Sequence, residues 1–143
     1  MKDSIRREIR FPQPQEDVWR ALTDNAILAE WLMPNDFEPR VGHRFMFRSE
    51  PNPQANFDGI VHCEVLTCTP PSELAYSWAG GGVDTRVTFQ LAPDGAGTRV
   101  VFEQSGFDTS QPWSEQAING AEFGWTRMFE QLGKVLEAIG SQR

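Results

Sequence analysis

A chain of 143 residues has room for one domain and hardly for two. Apolar residues at 39% and sixteen aromatics, of which five are Trp and ten Phe, supply a real core and exclude a disordered chain. A net charge of −7 argues against phosphate tracking as the main task, so no nucleic-acid partner is expected.

The residues Ile5, Arg7, Ile9 and Phe11 alternate with Arg6, Glu8 and Arg10, which predicts a half-buried strand ended by Pro12, with Arg7 out of pattern. Pro12-Gln13-Pro14 opens a helix carrying Val18, Trp19 and Leu22, and Asp24 or Asn25 caps a second short helix with Ile27, Leu28 and Trp31. Pro34 stops them. Period two follows in Phe45 and Phe47, then in Val61, Cys63 and Val65, then in Leu74, Tyr76 and Trp78. Glu50 to Asn56 and Pro70-Pro71-Ser72 are turn-rich connections, and Gly80-Gly81-Gly82 reads as a hairpin loop. Val87, Phe89 and Leu91 form a further strand, a Pro93-Asp94-Gly95 turn comes next, and Val100 and Phe102 lie in a strand reaching Gly106. From about Pro112 to Ile139, Ala121, Trp125, Met128, Phe129, Leu132, Val135 and Leu136 recur at helical steps, with Gly120 and Gly124 weakening the first half.

This order of elements is α+β, with no βαβ alternation to build a parallel sheet. The final helix is the element able to cover the sheet, so a curved antiparallel sheet wrapped around a long C-terminal helix is expected, with two short helices after the first strand. Cys63 and Cys68 stand an odd number of residues apart in one strand, which places them on opposite faces and predicts neither a disulfide nor a paired metal site.

Inward alternation nominates Phe45, Phe47, Trp78, Val87, Phe89 and Phe102 on the sheet, with Trp125, Met128 and Phe129 on the helix, as the lining of a pocket. Each is equally an ordinary core position. Trp31 and Met33 are placed at a mouth or in plain helix packing. For polar anchors, Tyr76 and Gln104 precede the arginines Arg48 and Arg99, and Gln104 follows Phe102 in parity. The set His43, His62, Cys63 and Cys68 lacks metal-ligand spacing, so no metal and no cofactor is expected. His62 and Cys63 are strand neighbours on opposite faces and do not pair. The glycine triplet leads into a strand rather than a helix, no Gly-x-Ser-x-Gly elbow occurs, and Glu64, Glu103 and Asp84 read as solvated charges.

The stretch Val18-Trp19-Arg20-Ala21-Leu22-Thr23-Asp24, the pair Trp31-Leu32, Gly59 before a strand ending at Pro70-Pro71, Leu74-Ala75-Tyr76-Ser77-Trp78, Gly97-Thr98, Ser105-Gly106-Phe107 and Gly124-Trp125 resemble the START-like (SRPBCC) superfamily. More narrowly, they are similar to proteins related to the C-terminal domain of the activator of the 90-kDa heat-shock-protein ATPase. The resemblance implies a helix-grip domain over residues 1–143, with a seven-stranded sheet around a pocket for apolar molecules. It also implies several functions: ligand carriage, cyclase or hydrolase chemistry in the same pocket, or stimulation of a chaperone ATPase in the stress response. Where many relatives have His, this chain has Gln104, which cannot titrate near neutral pH. With no apolar stretch behind the N-terminal charges and no run long enough to span a membrane, a cytoplasmic protein is expected, monomeric or homodimeric, holding a small hydrophobic and aromatic ligand without a cofactor.

Overall fold

The computed structural model describes residues 3–53 and 57–141. Its elements run β1 (Ser4–Phe11), α1 (Gln15–Thr23), α2 (Asn25–Trp31), β2 (Arg44–Arg48), β3 (Ile60–Thr69), β4 (Glu73–Gly80), β5 (Val83–Asp94), β6 (Gly97–Ser105) and α3 (Ser114–Ser141). All strand pairs are antiparallel in the order β1-β6-β5-β4-β3-β2, a curved sheet gripping α3, as the periodicities predict.

Each element follows from local chemistry. Asp24 is the cap of α2: its carboxylate accepts from the N–H groups of Ala26 at 3.0 Å and Ile27 at 3.4 Å, satisfying donors that the helix start leaves unpaired. The β4–β5 hairpin closes through Gly81 and Gly82, both at positive φ, which is the backbone a two-residue turn between right-twisted strands requires. The β5–β6 turn falls one step later than the sequence indicates. Asp94 still pairs with Gly97, so the loop is Gly95-Ala96 and Pro93 lies within the strand, near its end. Helix α3 begins at Ser114 and runs on through Gly120 and Gly124, because packing of its apolar face outweighs the intrinsic cost of two glycines.

Two expectations need correction. Six strands, not seven, make up the sheet among the described residues. The segment before β2 contributes only an isolated bridge, Asn35 to Phe47. Pro34 and Pro39 lack N–H donors there, and the Met46 N–H bonds the Asp36 carboxylate at 2.8 Å instead of a backbone carbonyl. Second, Cys63 and Cys68 do not lie on opposite faces. A register shift between Val65 and Thr67 inserts one extra residue in β3, so Cys68, opposite Leu74, returns to the inner side with Cys63 and Val65. Both thiols are free. Of the turn-rich connection Glu50 to Asn56, residues 54–56 lie outside the described residues; Asn52 and Phe57 close it by paired backbone hydrogen bonds.

The core is one contiguous cluster between the concave sheet face and the helices. Each buried Leu, Ile, Val or Phe in it stabilises the fold by about 1.5–3 kcal/mol relative to exposure.

Candidate functional site

Between sheet and α3 the aromatic side chains form one connected network. On β2, Phe45 and Phe47 meet edge to face at 5.4 Å, and both contact Tyr76 of β4, at 5.2 and 6.0 Å. Tyr76 reaches Phe89 of β5 at 6.1 Å, and Phe89 reaches Phe102 of β6 at 5.2 Å. Two helix rings close the set: Trp125 lies 4.4 Å from Phe102, 5.0 Å from Trp78 and 5.6 Å from Phe129. Phe129 in turn stacks on Trp31 at 6.2 Å, and Phe37, which the alternation does not identify, joins through Phe45 at 5.1 Å. These separations are those of offset and edge-on ring pairs, so the rings lie against one another. Trp78 alone among them is half-buried.

A polar relay crosses this network. The Trp125 indole N–H donates to the Gln104 carbonyl at 2.8 Å, the Gln104 amide donates to the Thr85 hydroxyl at 2.8 Å, and Thr85 donates to the Trp78 backbone carbonyl at 3.0 Å. Gln104 and Thr85 are both buried. Gln104 is thereby a link between helix and sheet, with its carbonyl and an amide proton engaged.

Tyr76 is different. It is 1% exposed and lies among the rings of Phe37, Phe45, Phe47 and Phe89. Burial, reinforced by the neighbouring Cys63, pushes its pKa well above the usual value, so at neutral pH it is a hydrogen-bond donor facing aromatic surroundings. Burial, then the Asp36 charge, pushes the Cys63 thiol up as well, which keeps it unreactive.

A cavity of about 160 Å³ lies at one end of the grip, where the β4–β5 hairpin and the start of β5 meet the β6–α3 connection and the first turn of α3. Val83, Phe107, Trp113 and Ala117 supply its apolar wall; Thr85, Asp108 and Ser114 supply polar atoms. Gly82 is needed here for its φ of 82°, and it lies against the Trp113 ring at ordinary contact distance. Thr85 therefore belongs both to this cavity and to the relay that ends on Trp125.

Residues 12–137 match the family described as activator of Hsp90 ATPase homolog 1-like protein. The chain belongs to that family. Among solved structures, protein MLL2253 of Mesorhizobium loti is 37% identical with a TM-score of 0.84, over 94% of this chain and 97% of its own. Protein BH1534 of Bacillus halodurans is 29% identical with a TM-score of 0.76, over 94% and 97%. CalU16 of Micromonospora echinospora is 25% identical with a TM-score of 0.75, over 97% of this chain and 79% of its own. No curated protein matches the sequence.

In this member of the activator of Hsp90 ATPase homolog 1-like family, the nominated residues Trp31, Phe45, Phe47, Tyr76, Trp78, Phe89, Phe102, Trp125 and Phe129 all fall in the ring network. Met128 is half-buried against the core, where a Cβ on Gly124 would lie 3.7 Å from its terminal methyl. Trp31 is tied to α1 by its indole N–H, which donates to the Ala21 carbonyl at 2.9 Å, and this is helix packing. Arg48 is exposed, and Arg99 is exposed beside Glu8 at 3.8 Å. His62 is exposed and Cys63 buried, so the two do not meet. Besides the buried Asp17 of α1, an inward charge is Arg7, whose guanidinium reaches Glu122 of α3 at 3.1 Å. Its break in the β1 alternation was the only sequence signal for it. Thr85, Phe107, Trp113 and Ala117 carried no such signal, because their neighbourhood is created by a loop. Among the described residues no three His, Cys, Asp or Glu side chains converge, and no helix is long and apolar enough to cross a membrane.

Proposed function

We propose that this protein, acting as one domain over residues 1–143, is a binding module that holds a hydrophobic, aromatic ligand between the sheet and α3. The observation that carries this reading is the connected wall of aromatic rings between the sheet and α3, with the Tyr76 hydroxyl set within it. A guest that offers an acceptor to that hydroxyl gains one hydrogen bond of about 0.5–1.5 kcal/mol. The rings pack on one another, so the guest enters by displacing them, with the half-buried Trp78 and the flexible Met128 the most easily moved. Binding without chemistry fits Gln104 and Tyr76, since one is engaged at both ends and the other stays protonated at neutral pH.

The test compares naphthalene with 2-naphthol, followed by Trp emission and by the ultraviolet absorbance of the single tyrosine. Tyr76→Phe should weaken 2-naphthol about 2- to 12-fold, the equivalent of one hydrogen bond of about 0.5–1.5 kcal/mol, and leave naphthalene unaltered. Saturable binding of neither probe, or equal weakening of both, would overturn the reading. The family's description favours a second one, stimulation of a chaperone ATPase, for which a measured rise in ATP hydrolysis by the cognate chaperone is the direct assay.

A further inference from the structure

We propose that the cavity beneath the β4–β5 hairpin is a separate site for a single-ring aromatic molecule bearing a hydrogen-bond donor, such as a phenol or an arylalkylamine. Its volume of about 160 Å³ is that of a one-ring guest, since an apolar protein cavity of about 150 Å³ accepts benzene. The Trp113 ring, Phe107, Val83 and Ala117 provide faces for such a ring.

The chemistry of its polar atoms selects the guest. Thr85 has given its one hydroxyl proton to the Trp78 carbonyl, and Ser114 has given its own to the Asp108 carbonyl at 2.6 Å. A hydroxyl has one donor and two lone pairs, and each of these already accepts one bond, from Gln104 and from the Gln111 N–H, so one lone pair remains on each. Both residues are buried, at 6% and 1% exposure, so those lone pairs face the cavity neighbourhood rather than bulk water. Asp84 and Asp108 also line the cavity and no basic residue does. The hydroxyls can therefore only accept, and the charges lining the cavity are negative. A guest that donates is matched; a carboxylate is repelled.

Calorimetric titration of the full chain with phenol, benzylamine and benzoate tests this. Phenol and benzylamine should saturate one site, with benzoate at least tenfold weaker. Ala117→Phe fills the cavity from α3 and should abolish phenol binding. Trp113→Ala, which removes a partly exposed ring and leaves the core intact, should weaken it at least tenfold and serves if the first variant does not fold. Tyr76→Phe should leave phenol affinity unchanged. Equal binding of benzoate and phenol would overturn the proposal, as would phenol affinity that survives Trp113→Ala. Loss of phenol in Tyr76→Phe would place the guest in the ring network, refuting this site while leaving the first reading intact.

Discussion

Gln104 joins helix and sheet through one buried amide. Removing it in Gln104→Leu leaves the buried Trp125 N–H without an acceptor and Thr85 without one of its bonds. The expected loss is about 2–4 kcal/mol in urea unfolding, from one or two unsatisfied groups. A loss below about 1 kcal/mol would mean the relay does not form. The inward position of Gln104 was legible from its parity with Phe102. Its partners were not, because which face of α3 meets β6 depends on the rotation of the helix against the sheet, and periodicity along one element holds no such information.

At the level of elements, caps were readable and bulges were not. Asp24→Ala should cost about 1 kcal/mol by removing the side-chain cap of α2, measured as a lower denaturation midpoint with unchanged slope. In β3 the strict two-residue period fails at Leu66, 38% exposed, since no composition cue marks where a strand inserts a residue. Deleting Leu66 should therefore keep Val65 and Cys68 on the inner face and yield a folded protein. Deleting Val61 instead should prevent folding, because it would turn the inward side chains of a regular stretch of β3 outward. Circular dichroism of the two deletions distinguishes these outcomes. The long period of α3 and the alternation of β4 to β6 were legible because each buries one face continuously, the condition under which pattern and packing agree.

For the whole molecule, the ring network has a cost at high pH. Burial pushes both the Cys63 thiol, ordinarily near 9.0, and the Tyr76 hydroxyl, ordinarily near 10.0, upward. Below these values folded and unfolded chains both keep their protons. Above about 9 the unfolded chain releases its protons and the folded chain does not, so stability falls as pH rises. Tyrosinate absorbance should stay absent until unfolding, and Tyr76→Phe should move alkaline unfolding to higher pH; an early absorbance rise in a folded protein would refute the burial of Tyr76. The fold class, element order and most inward rings followed from sequence, because one-sided burial writes itself as periodicity. The cavity under the hairpin did not, since it arises where the β6–α3 connection crosses Gly82, a meeting of segments about 30 residues apart.

The sheet order has a further effect. Ser4 at the start of β1 pairs with Ser105 at the end of β6, so the first strand of this sheet has no neighbour until the last one has been made. At ribosomal speeds of about 5–20 residues per second, the intervening hundred residues take roughly 5–20 s. During that interval Ile5, Ile9 and Phe11 lack the strand that pairs with them, so pairing of β1 waits on topology rather than on the strength of its contacts.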